Sequence, residues 1–232
     1  MIIGSGLLAK AMMPAFSNRE DSVVYAAGVS NSHCVDPKEF AREAARIKLA
    51  LQESADDNFF IYFSTCSIYD VEGINTPYVL HKIEMEELVR QHAGHLIVRL
   101  PQVAGKTPNP HTLLNFLCAR IARSEKFLIW SKARRNIIDA ADVAKIVRAL
   151  VDDGLRGMTM NVANNSDHSL LEIVRIFELV LNKDAMFDLL EQGGAYAIDT
   201  SLMTPYANSV GIRFDDGYLE RVLRKYYEKD GI

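Results

Sequence analysis

Two stretches restrict the fold of this 232-residue chain more than any others: Phe59-Phe-Ile-Tyr-Phe-Ser64 and His95-Leu-Ile-Val-Arg-Leu100. Each has the length of a strand and is almost continuously apolar, as expected for a strand covered on both faces. Between them, Thr76-Pro77 opens a helix to about His92, with Thr as N-cap and Pro at the first helical position. Asp36-Pro37 opens a helix to about Glu53 by the same chemistry. Upstream lie a short strand, Met1–Ile3, and a helix, Leu7–Phe16, which Pro14 should end or kink. A second strand, Ser22–Ala27, follows. This alternation predicts a parallel α/β sheet with right-handed crossovers.

Past Gly105 the pattern loosens. Helices are expected over Thr112–Arg123 and Asp139–Asp152, and strands over Lys126–Trp130 and Met158–Val162. Ser169-Leu-Leu-Glu172 reads as a capping box. A polar stretch, Glu191–Tyr206, leads to a last helix, Tyr218–Tyr227. The expected division is a catalytic domain over 1–153, with 105–138 on its substrate side, and a small C-terminal lobe over 154–232.

Composition narrows the function classes. A hydrophobic content of 49% supports a real core, and a net charge of −4 disfavours a nucleic-acid surface. No apolar run is long enough to span a bilayer. Cys34, Cys66 and Cys118 are scattered, and the six His show no metal-ligand spacing. These features fit a reduced, cytoplasmic protein with neither metal nor membrane partner.

Between the first strand and first helix stands Gly4-Ser-Gly6-Leu7-Leu8-Ala9. In such a turn the first glycine permits the bend, and the second lets the backbone approach a pyrophosphate. The small third residue lets the helix pack closely. Free N–H groups and the helix dipole favour the anion. An acid about 20 residues on normally grips the adenosine ribose from the end of the next strand. Glu20 and Asp21 have that spacing but precede the strand. At its end stand Ala26, Ala27 and Gly28, which suit a backbone passing beneath a ligand.

Tyr78 and Lys82 share one helix face, so phenol and ammonium can point together into a cleft. A nearby cation would lower the phenol pKa towards a range useful for acid–base work. Thr65 ends the Phe59 strand, at the edge where ligands of open α/β sheets bind. Asp139 and Asp142 look like cap and first-turn acids. Cys66 reads as a small core residue.

In order, GSGLLA, VVYAAGVSNS, FIYFSTCSIYD, PYVLHK, IVRLPQVAGK and RRNIIDAADVAKIV resemble the extended short-chain dehydrogenase/reductase family, the nucleotide-sugar epimerases, dehydratases and reductases. The resemblance covers roughly residues 1–180. It implies a Rossmann-like fold binding NAD or NADP at Gly4, Gly6, Leu7, Leu8, Ala26, Ala27 and Gly28. Pro101, Gln102 and Val103 would line the nicotinamide. Thr65 would polarise a substrate oxygen, Tyr78 would move its proton, and Lys82 would bind the nicotinamide ribose. Ser30, Asn31 and Arg135 would face a nucleotide sugar, Arg135 through its diphosphate. The setting implied is bacterial surface-polysaccharide synthesis, and the assembly a homodimer through helices 36–53 and 78–92.

Three departures from the family follow. Two strands usual between the fingerprint helix and the AAG strand are missing, and the ribose-gripping acid with them. Cys66 and Ser67 stand where 4,6-dehydratases carry Asp-Glu. The helix EFAREAARIKLALQE lacks an asparagine that many relatives use in a proton relay. The expected activity is reduction or epimerisation at a hydroxyl or keto carbon. The competing reading is a non-catalytic fold that binds a nucleotide or a protein partner.

Overall fold

The computed structural model describes residues 1–110 and 112–228. The elements run β1 (Ile2–Ile3), α1 (Leu7–Phe16), β2 (Ser22–Tyr25), α2 (Pro37–Glu53), β3 (Phe59–Thr65), α3 (Pro77–Val89), β4 (His95–Leu100) and β5 (Gln102–Ala104). They continue as α4 (Leu113–Ala122), β6 (Phe127–Trp130), β7 (Arg134–Asp139), α5 (Ala140–Asp152), β8 (Met158–Asn161) and β9 (Asp167–Ser169). The last are α6 (Leu170–Leu181), β10 (Phe187–Leu190), α7 (Thr204–Ser209) and α8 (Tyr218–Tyr227).

Five parallel strands form the central sheet in the order β1-β2-β3-β4-β8. This is a Rossmann-like sheet without its two usual outer strands, so β1 lies at an edge. All seven residues of β3 are buried, as its apolar run requires. β8 lies beyond the division expected at residue 153, yet it pairs with β4 in this same sheet.

The helix starts follow their caps. Asp36, Thr76, Thr112, Asp139 and Ser169 each accept a backbone N–H of the first turn, and Ser169 with Glu172 completes the capping box. Asp139 also receives Lys225 Nζ at 2.6 Å and Tyr226 Oη at 2.5 Å, which fastens α8 to the start of α5. α1 continues through Pro14 to Phe16. Pro14 removes the one N–H that would donate to the Lys10 carbonyl, and the helix still closes its last turn through Ser17 N–H on the Met13 carbonyl. α3 stops at Val89, earlier than the sequence pattern indicates.

The expectation of uniformly right-handed crossovers is corrected at the first one. Met12 and Phe16 of α1 pack in one core with Val143 and Val147 of α5. Ile47 of α2 and Met85 of α3 pack on the other side of the sheet with Val23, Tyr25 and Tyr62. The steps β1 to β2 and β2 to β3 advance in the same direction but use opposite faces. Their hands must therefore be opposite. The hand of such a unit follows from strand twist feeding the helix. A two-residue β1 imposes little twist, and burial of α1 against α5 decides its side.

Five elements escaped the sequence pattern: β7, its partners β5 and β9, the β10 strand that runs beside β6, and the short helix α7. No described helix is long and apolar enough to cross a membrane.

Candidate active site

The carboxyl ends of β1 to β4 open into a cleft of about 900 Å³. Every residue expected to bind cofactor or substrate lines it except Arg135. Arg135 donates instead to the carbonyls of Arg134, at 2.7 Å, and Gly194, at 3.4 Å. Its guanidinium thus holds the segment after β10 and is not part of the cleft lining. Asn31 lines the cleft while its side chain also accepts His33 N–H in a local turn.

The fingerprint turn has the features of an anion cradle. Gly4 sits at φ +131°, and a Cβ there would stand 2.4 Å from the Ala26 carbonyl oxygen. Only glycine lets the turn lie this close to β2. Gly6 has nothing within 4 Å of its Cβ position, and no side chain caps α1. The first N–H groups of α1 therefore face open cleft, as a bound pyrophosphate requires.

Thr65 caps the short turn after β3, accepting Ser67 N–H at 3.0 Å, and its side chain lies near enough to the Tyr78 phenol to pull it down. Burial pushes the phenol up to about 12, although Thr65 pulls it down; Glu43 and Tyr196 push the same way as burial. The expectation of a phenol tuned downwards by Lys82 is thereby corrected.

The reason is a buried carboxylate that the sequence pattern did not single out. Glu43 of α2 is fully buried. One oxygen accepts Lys82 Nζ at 3.1 Å and Tyr62 Oη at 3.0 Å. The other accepts Val29 N–H at 2.6 Å and pairs with His81 Nε2 at 3.1 Å. Burial would raise this carboxyl, but His81, the Lys82 charge and Val29 N–H outweigh it and hold it at about 2. Burial also lowers the Lys82 ammonium below its usual value, against the charge of Glu43. Lys82 Nζ completes its set with Tyr62 Oη at 3.1 Å and the Phe63 carbonyl at 3.4 Å. Its charge is thus spent on Glu43, and Lys82 does not lower the Tyr78 phenol, which the Glu43 charge raises instead. A Cβ on Gly28 would stand 2.7 Å from both Glu43 Oε1 and Lys82 Nζ, so the AAG strand end must finish in glycine.

A second overlooked residue is Tyr196. It enters the cleft from the segment that Arg135 holds, lies beside the Ser67 side chain, and is close enough to raise the Tyr78 phenol. Burial pushes the Cys66 thiol up to about 12, which leaves it an inert core group. Beneath the site, Glu86 holds Arg99 in a bidentate pair at 2.9 and 2.6 Å, and Arg99 reaches Tyr69 Oη at 3.0 Å.

Comparison with known proteins gives a consistent result. The sequence profile of the NAD dependent epimerase/dehydratase family matches residues 7–163. UDP-glucuronic acid 4-epimerase from Bacillus cereus, solved with UDP-glucuronic acid and NAD, superposes with a TM-score of 0.71 at 20% identity, over 89% of this chain and 74% of that one. RMD from Pseudomonas aeruginosa, solved with NADPH, gives 0.72 at 16% identity, over 96% and 95%. dTDP-glucose 4,6-dehydratase from Bacillus anthracis, solved with NAD, gives 0.68 at 15%, over 95% and 78%. At these identities the likeness is one of fold.

Proposed function

This chain belongs to the NAD dependent epimerase/dehydratase family, and from that premise we propose that it is an NAD(P)-dependent oxidoreductase acting on a keto or hydroxyl carbon of a nucleotide sugar. The observation that carries this reading is the meeting of Thr65, Tyr78 and Lys82 with the open Gly4–Gly6 cradle in one cleft. When bound, a nicotinamide supplies or takes up hydride. The cradle and the first N–H groups of α1 hold its pyrophosphate. Lys82 Nζ, whose longest bond is to the Phe63 carbonyl at 3.4 Å, would hold the nicotinamide ribose. Thr65 holds the substrate oxygen, and Tyr78 gives that oxygen its proton.

Between reduction and epimerisation, reduction is the reading put forward. A phenol held near 12 is protonated at neutral pH and poised to donate. The loss of the outer strands also leaves the adenosine side open, which suits a cofactor exchanged at each turnover. Elimination of the 4,6-dehydratase kind lacks its acid–base pair, since Cys66 is inert and Ser67 carries a neutral hydroxyl in place of a carboxylate.

Calorimetric titration with NADH and NADPH tests the reading. At least one is expected to bind at micromolar to millimolar concentration. If neither binds at millimolar concentration, the oxidoreductase assignment fails.

A further inference from the structure

The cleft contains cations and no carboxylate. Its described lining includes Lys10, Arg46, Lys82 and Lys106 but no Asp or Glu, in a chain whose net charge is −4. Lys82 is neutralised by Glu43. The side chains of Lys10, Arg46 and Lys106 make no hydrogen bond or ion pair with any described residue.

The acids nearest in sequence to the usual ribose position are elsewhere. Asp21 lies just before β2, at the end of the strand away from the cleft, bound to Arg19 at 2.6 and 2.8 Å. Neither Glu20 nor Asp21 lines the cleft. Arg46, by contrast, leaves α2 one turn after Glu43. It lines the cleft with Tyr25, Ala26 and Ala27, and its charge acts on the Tyr25 phenol. α2 and α1 cover opposite faces of the sheet. Arg46 and Lys10 therefore reach the cleft from helices on opposite faces of the sheet, Arg46 beside the carboxyl end of β2.

A free ribose diol is held by a carboxylate that accepts from its hydroxyls. This cleft has none to offer. A phosphate ester on the same ribose reverses the requirement: it needs donors and positive charge, and a guanidinium fork matches it. We propose that Arg46 clamps a phosphate on the adenosine ribose, so that the cleft selects NADPH over NADH. The clamp comes from α2, which replaces a strand end that this chain does not have. The inference rests on the dinucleotide reading given above, and the experiment separates the two.

NADPH and NADH are titrated calorimetrically into the wild type, Arg46→Gln and Lys10→Gln. The wild type should bind NADPH about tenfold or more tightly than NADH. Arg46→Gln should weaken NADPH by about tenfold to a hundredfold and leave NADH within about twofold. Lys10→Gln should leave the ratio unchanged. Arg46 is exposed, so its variant is expected to fold, and a thermal melt checks this. Equal wild-type affinities, or a preference that survives Arg46→Gln, would overturn the clamp. Failure of both dinucleotides to bind would overturn the oxidoreductase reading instead. In that case adenosine 2′,5′-bisphosphate against ADP decides the clamp: loss of a bisphosphate preference in Arg46→Gln supports it, and no preference in the wild type overturns it.

Discussion

Tyr78→Phe is expected to cut turnover by about 10²–10⁴ and to leave cofactor affinity nearly unchanged. The ring stays where it is, packed with Val29 and Val79, and only the hydroxyl is lost. That hydroxyl faces the Thr65 side chain, which retains its bond to Ser67 N–H. The structural cost should therefore be about 1 kcal/mol. The sign of the pH dependence follows from the upward shift. Below about 12 the phenol is protonated, so reduction should show no Tyr78-dependent loss across neutral pH. Oxidation in reverse needs the phenolate, and its rate should climb with pH by about tenfold per unit. Steady-state rates in both directions, with a cofactor titration of the variant, provide the check. Unchanged turnover would remove Tyr78 from the mechanism.

Glu43→Ala should cost about 3–5 kcal/mol, because it strands the Lys82 ammonium in the core without its counter-charge. Lys82 would keep only the Tyr62 hydroxyl and the Phe63 carbonyl as acceptors. Acid titration gives a second handle. The carboxyl is held at about 2 against an ordinary 4.5. A depressed carboxyl stabilises the fold above its unfolded value, and that stabilisation is lost as pH falls from 4.5 towards 2. Its size is about 3 kcal/mol, because each tenfold change in an acid's dissociation constant is worth about 1.4 kcal/mol. Urea unfolding between about pH 6 and 2.5 should show this acid-dependent loss in the wild type and a flatter profile in Glu43→Gln. A Glu43→Ala variant within about 1 kcal/mol of wild type would contradict the buried-pair account.

Glu43 also shows where the sequence was legible and where it was not. On α2 the buried positions are Glu43, Ile47 and Ala50, one helical stripe. An acid on an apolar stripe is a visible signal, since such a group must find a partner. Read only against the asparagine of relatives, it registers as an absence. What the sequence could not show was that Lys82 and His81 come from another helix to meet it. Tyr196 carries no local signal at all, because its place depends on Arg135 and Gly194, 59 residues apart. β3 and the capped helices were legible because burial on both faces and N-cap chemistry are written locally. The hand of the first crossover was not, since it depends on α1 packing against the distant α5. The three-residue strands β5 and β9 likewise exist through their pairing with β7.

The central claim is that hydride passes between a nicotinamide and a sugar carbon in this cleft. Its most direct test is mass spectrometry of products formed from 4-keto nucleotide sugars with NADPH or NADH deuterated at C4, each face labelled in turn. A product one deuterium heavier is expected from one label only, formed in step with oxidised cofactor and lost in Tyr78→Phe. Turnover of a nucleotide sugar with no deuterium gained and no cofactor consumed would contradict net reduction.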